Sequence, residues 1–175
     1  MSESVIDCLC ERRSIRAYTD RPVDENALLA ILRAGEYAPT GMNRQSPVMV
    51  AVQDKNVREQ LRALNAAVMG TPDADPFYGA PTVIVVLADR TVGTYIEDGA
   101  LVMGNLMNAA HALGVDSCWI HRAREEFESE TGKALLVGWG LDPEKYVGIG
   151  HCILGYRACE YPAARPRKEN RVIRV

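Results

Sequence analysis

No charge of one sign dominates this sequence: 20 Lys and Arg stand against 23 Asp and Glu in 175 residues, for a formal net charge of -3. That balance argues against broad non-specific nucleic-acid binding, which needs an overall basic face to release counterions from phosphates, so any anion bound here is expected to be small. Long apolar runs are missing too. No stretch reaches the roughly 18 residues of a membrane span, and Asp7, Glu11, Arg12 and Arg13 interrupt what would have to be the apolar core of a secretory leader. The expected location is cytoplasmic, with no membrane partner. The five cysteines (Cys8, Cys10, Cys118, Cys152, Cys159) are odd in number and form no CxxC pair, which fits reduced thiols better than a disulfide frame. His151, Cys152 and Cys159 come nearest to a metal cluster, but structural zinc ligands usually pair two to four residues apart, and no metal is expected. Repeats, low-complexity tracts and linkers are absent, so one domain over residues 1–175 is the simplest organisation.

What is present is ordinary globular material, 47% hydrophobic and 25% charged. Residues 4–11 read as a short helix. Asp24 is placed to cap a second helix, with Leu28, Ile31, Leu32 and Gly35 at helical spacing, that ends near Pro39. "VMVAV" at 48–52 predicts a strand, and Val57, Leu61 and Leu64 mark the helix after it. "GTPDADPFYGAP" is a loop. "TVIVVLA" at 82–88 is the continuous β-branched run of a strand buried on both faces. Residues 95–113 form the longest expected helix. Ile96, Ala100, Met103, Met107 and Ala110 lie on one side and Leu101, Leu106 and Leu113 elsewhere, so it must be enclosed. Residues 115–120 predict a strand, 124–137 one amphipathic helix, and 147–156 a last central strand.

Two basic ends interrupt this pattern. "ERRSIRAYTD" sets Arg12, Arg13 and Arg16 within five positions, and the tail "ARPRKENRVIRV" carries Arg165, Arg167, Lys168, Arg171 and Arg174. Clustered guanidinium groups repel one another, so they either stay solvated or share an anion. If the fold unites the two ends, planar bidentate donors and the Ser14 hydroxyl make a phosphate-sized pocket; if not, they are two solvated charged ends. Other motifs fail on context. "GIGHCILG" at 148–155 lies inside a strand pattern with no helix behind it, and no Walker sequence, Ser-His-Asp set or paired-carboxylate site is present.

Five blocks carry a resemblance: "RRSIR" at 12–16, "APTGMNRQSP" at 38–47, "APTVIVVLAD" at 80–89, "GNLMNAAHALGVDSCWI" at 104–120 and "LGYRACEYPAARPRK" at 154–168. In that order and at those intervals the chain resembles the nitroreductase family of flavin enzymes, in its compact form. The resemblance implies an α+β fold with a central, mainly antiparallel sheet flanked by helices, and an intertwined homodimer holding FMN at each subunit boundary. It implies that Arg12, Ser14, Arg165 and Arg167 grip the cofactor phosphate, with Arg13 beside the ribityl chain and Arg16 at the pyrimidine edge. A cation there would stabilise negative charge developing on the ring, which makes Arg16 a catalytic candidate. Pro39, Thr40, Gly41 and Asn43 match a segment that lies against the flavin of the other subunit. Read without the family, they form a helix-terminating turn.

Ile120, His121 and Arg122 match the strand end whose backbone N–H groups face the hydride-accepting nitrogen. Family members often carry Gly or a Glu-Gly pair there. His121 and Arg122 could therefore narrow the pocket, supply a proton donor through His121, attract an anionic group through Arg122, or point to solvent. The family's pyrimidine-side Asn and Lys have no counterpart around residues 73–77. The implied activity is hydride transfer from NADH or NADPH through FMN to a nitroaromatic, quinone or related small acceptor, by a ping-pong mechanism. Reductive dehalogenation, oxygen-dependent flavin cleavage and an FMN-binding module without turnover are the alternatives.

Overall fold

The computed structural model describes residues 4–175. Its centre is a four-stranded sheet of β1 (Pro47–Val52), β2 (Thr82–Asp89), β3 (Asp116–Ile120) and β4 (Tyr146–Gly155) in the order β1-β2-β4-β3, with every neighbouring pair antiparallel. The expected α+β architecture is therefore present. β2 and β4 are interior strands, and side chains alternate between faces with period two. Val83, Val85 and Leu87 enter one core with Leu61, Phe77, Phe127 and Leu136. Ile84 and Val86 enter the other with Leu28, Ile31, Met103 and Leu106. Burial on both faces is why β2 reads as an unbroken apolar run rather than an alternating one.

The helices are α1 (Val5–Glu11), α2 (Glu25–Glu36), α3 (Lys55–Met69), α4 (Tyr95–Ala112), α5 (Ala123–Glu128) and α6 (Glu130–Gly138). α2 and α4 cover one face of the sheet and α3, α5 and α6 the other. The Asp24 carboxylate accepts from the N–H groups of Asn26 and Ala27 and starts α2, as its position predicts, and Asp54 does the same for α3.

Two expectations need correction. Residues 124–137 are not one helix, because Ser129 breaks them at φ -73, ψ 156. Its hydroxyl donates to Glu126 O at 2.6 Å and accepts from Gly132 N–H at 3.0 Å, so one side chain closes α5 and caps α6. Helical periodicity runs through such a cap unchanged and does not reveal it. Nor does this chain enclose α4 by itself. Val102, Met103, Leu106 and Ala110 are buried, but Ile96 and Leu101 remain 50% and 46% exposed. No helix among the described residues is long and apolar enough to cross a membrane.

Candidate functional site

The two chain ends meet at the free edge of β3. Ser14 pairs with Ser117, Ile15 N–H donates to Ser117 O at 3.1 Å, Thr19 N–H to Tyr156 O at 2.9 Å and Ala158 N–H to Ala17 O at 2.9 Å. Tyr161 then straps the returning tail to the first helix. Its hydroxyl accepts from Arg13 N–H at 3.0 Å and donates to Glu11 O at 2.9 Å.

Arg12, Ser14 and Arg16 gather around the start of β3. The Ser14 hydroxyl hydrogen-bonds the Cys118 sulfur, and both Arg16 and Arg12 act on that thiol electrostatically. Burial nonetheless dominates and pushes the Cys118 thiol up, so it stays protonated and neutralises neither cation. Arg12 Nη1 and Ser117 Oγ are buried here with no hydrogen-bond partner among the described residues, as is the neighbouring Arg13 Nε. Leaving such a group unpaired costs about 1–3 kcal/mol. The set is complementary to an anion with several acceptor oxygens.

Arg13 leaves this group. Its Nη1 donates to the carbonyls of Cys10, Glu11 and Arg12, each at 2.8 Å, and so caps the last turn of α1. Arg165 and Arg167 lie beyond the Tyr161 strap in the exposed tail, with no hydrogen bond or ion pair among the described residues.

From Ser117, β3 runs about 13 Å to His121 at roughly 3.3 Å per residue. Ile120 is buried at the strand end, while His121 is exposed and lines a cavity of about 320 Å³ with Trp119, Tyr95, Ile96, Ala100 and Ile149. Arg122 sits in the left-handed region at φ 79, and its Nε donates inward to Asn65 Oδ1 at 3.0 Å. Of the possibilities open from the sequence, the His121 side chain faces the cavity and the Arg122 side chain turns into the protein. Residues 73–77 are tied to α3, since Arg58 Nη2 meets Asp75 Oδ2 at 2.7 Å and Arg62 Nη1 donates to the carbonyls of Pro72 and Ala74, while Phe77 is buried in the same core as Ile120.

Pro39, Thr40, Gly41 and Asn43 lie in a loop at the other flank of α4's first turn. Met42, Asn43 and Gln45 all have positive φ (53, 53 and 49), a concentration of strain that must be held from outside. Asp98, only 2% exposed, supplies the hold. Its carboxylate accepts from Gly41 N–H at 2.9 Å, Ser46 Oγ at 2.8 Å and Thr94 Oγ1 at 3.2 Å. Gly41 is required because a Cβ there would overlap the Thr94 side chain. The sequence reading missed Asp98. An acidic pair, Glu97 and Asp98, near the start of an otherwise apolar helix was the available signal, but it looks the same as charge favoured by the helix dipole.

Comparison with known proteins places the fold. A model of the nitroreductase family matches residues 9–156. An oxygen-insensitive NADPH nitroreductase of Salmonella typhimurium is 27% identical over 93% of this chain and 69% of its own length. The fold matches a Bacteroides fragilis nitroreductase with bound FMN at a TM-score of 0.90, with 27% identity and 99% of each chain covered. A Desulfitobacterium hafniense nitroreductase with bound FMN matches at 0.87, with 25% identity over the whole of both chains.

Proposed function

The chain belongs to the nitroreductase family, and from that premise we propose that it is an FMN-dependent oxidoreductase that moves hydride from NADH or NADPH to a small nitroaromatic, quinone or related acceptor. The observation that carries the proposal is the buried, partnerless Arg12 Nη1 beside Ser14 and the equally partnerless Ser117 hydroxyl. Those donors fit a phosphate. FMN, when bound, supplies the two-electron chemistry.

The residues divide the work along β3. Arg12, Ser14 and Ser117 hold the phosphate end, and Arg165 and Arg167 complete it from the tail of this chain or of a second copy. Arg16, exposed in this chain, would supply a cation at the ring's pyrimidine edge that stabilises negative charge there. At the far end the backbone N–H groups near His121 and Arg122 orient the reacting edge. The neighbouring 320 Å³ cavity, walled by Trp119, Tyr95 and Ile96, admits donor and acceptor in turn, the geometry a ping-pong cycle uses. His121 at its rim is the candidate proton donor.

A homodimer in the cytoplasm is part of the proposal. The exposed Ile96 and Leu101 on α4 would be covered by the second subunit, and the loop of Pro39, Thr40, Gly41 and Asn43 would border that subunit's flavin.

The test is the flavin content of purified protein, followed by anaerobic titration with each nicotinamide while the visible spectrum is recorded. One FMN per chain, bleached by NADH or NADPH and restored by a nitroaromatic or quinone, is the expected result. A colourless protein that fails to take up added FMN would overturn the proposal. Bound FMN that neither nicotinamide bleaches would reduce it to flavin binding without turnover.

A further inference from the structure

A buried polar chain crosses the core beneath the strand end. His151 on β4, Glu126 on α5 and Asn65 on α3 are all fully buried, among Phe77 and Phe127. His151 Nε2 lies 3.0 Å from each Glu126 oxygen. The Asn65 amide donates to Glu126 Oε1 and, at 2.8 Å, to the His121 carbonyl, while its own oxygen accepts from Arg122 Nε at 3.0 Å. The amide's orientation follows from its partners, because reversing it would set its oxygen against a carbonyl and a carboxylate.

We infer that Asn65 is a positioning residue for the hydride-transfer end of the site, an inference that rests on the FMN reading above. The step is geometric. The peptide joining His121 and Arg122 is trans, so its C=O and N–H point in opposite directions. Asn65 draws the carbonyl into the core and thereby aims the Arg122 N–H outward. The same amide grips the Arg122 side chain and helps hold a left-handed conformation that costs a non-glycine residue about 1–2 kcal/mol.

Glu126 and His151 lock Asn65 in turn. The pair links it to a central strand whose residue 151 stands opposite Ile120 in the ladder. Buried polar chains in apolar cores are often replaceable by hydrocarbon without loss of stability. This one ends on the peptide whose direction matters, and a role in aiming it explains the placement.

The test uses FMN-loaded enzyme. In Asn65→Leu, FMN affinity should stay within about threefold of wild type, since the phosphate end is untouched. The rate constant for anaerobic flavin reduction should fall roughly tenfold or more, less than the about hundredfold that outright loss of a preorganised donor costs, because the N–H is misaimed and not removed. The flavin midpoint potential should move negative, which a merely structural role would not produce. A folded, FMN-loaded Asn65→Leu enzyme with wild-type reduction rate and potential would overturn the inference. Where that variant yields no folded holoenzyme, Arg122→Leu at its half-buried position decides on the same two readouts: smaller shifts in the same directions support the role, and no shift overturns it. Failure of the wild-type protein to take up FMN removes the premise instead, and is distinguishable because it needs no variant.

Discussion

Replacing Arg12 by Met keeps an unbranched stem and removes the guanidinium, and the structure gives that change two consequences of opposite benefit. In the FMN-free protein Arg12 Nη1 is buried without a partner. An unsatisfied buried donor costs about 1–3 kcal/mol, so Arg12→Met should leave the FMN-free fold as stable as wild type or up to about 2 kcal/mol more stable. With FMN bound, the same group contributes one or two charge-assisted hydrogen bonds, about 2–4 kcal/mol together, and its loss should weaken binding about 30- to 700-fold.

Urea denaturation of FMN-free protein in phosphate-free buffer reads the first effect, and quenching of FMN fluorescence on titration reads the second. The two combine in the holoenzyme. At an FMN concentration 100 times the wild-type Kd, wild type gains about 2.7 kcal/mol from the ligand, whereas a variant binding 100-fold more weakly gains only about 0.4. FMN affinity within threefold of wild type would refute the phosphate assignment. A loss of more than about 2 kcal/mol in the FMN-free protein would instead make Arg12 a structural residue.

Asp98→Ala strips three hydrogen bonds, two from the strained loop after Thr40 and one from Thr94 at the start of α4; at about 1–1.5 kcal/mol each, denaturation should show a loss of about 3–4 kcal/mol, and a loss below 1 would mean that the loop holds its own shape. Asp75 is opposed by burial, but its bonds from Arg58 and from the N–H groups of Gly79 and Phe77 prevail and lower its pKa. Its stabilising contribution is therefore complete above the unfolded value near pH 4 and is lost as pH falls through the lower folded value. The destabilisation of Asp75→Asn, about 1–2 kcal/mol at pH 7, should shrink below pH 4; an undiminished difference at pH 2 would contradict the charge assignment. Thiol titration with an aromatic disulfide at pH 8 should count two fast groups, Cys10 and Cys159, because Cys8, Cys118 and Cys152 are buried and burial raises the thiols of the last two. A third fast thiol in the folded protein would contradict the packing of α1 against α4 if it is Cys8, and of β3 and β4 if it is Cys118 or Cys152.

Much of the site was visible in the linear order. Arg12, Ser14 and Arg16 stand two residues apart in an extended segment, and extended geometry alone sets such groups along one edge. Arg13 shows where spacing stops informing, since its guanidinium folds back on the carbonyls of α1. Arg165 and Arg167 show it again. The strap at Tyr161 does bring the tail to the first helix, yet Arg165 and Arg167 past it find no hydrogen-bond or ion-pair partner among the described residues.

The sequence by itself determined the elements and the placement of their apolar faces. Steric preference, capping and burial periodicity act over a few residues, so the strand at 82–88 and the helix opened by Asp24 could be read directly. Only the tertiary structure decided which distant polar groups meet: Asp98 with Gly41, Asn65 with His121, Glu126 with His151. Such pairings depend on strand order and helix docking, and no local preference encodes them. They nevertheless hold the strained loop and the peptide between His121 and Arg122, because most buried polar groups are paired wherever the fold has placed a partner, Arg12 Nη1 being an exception.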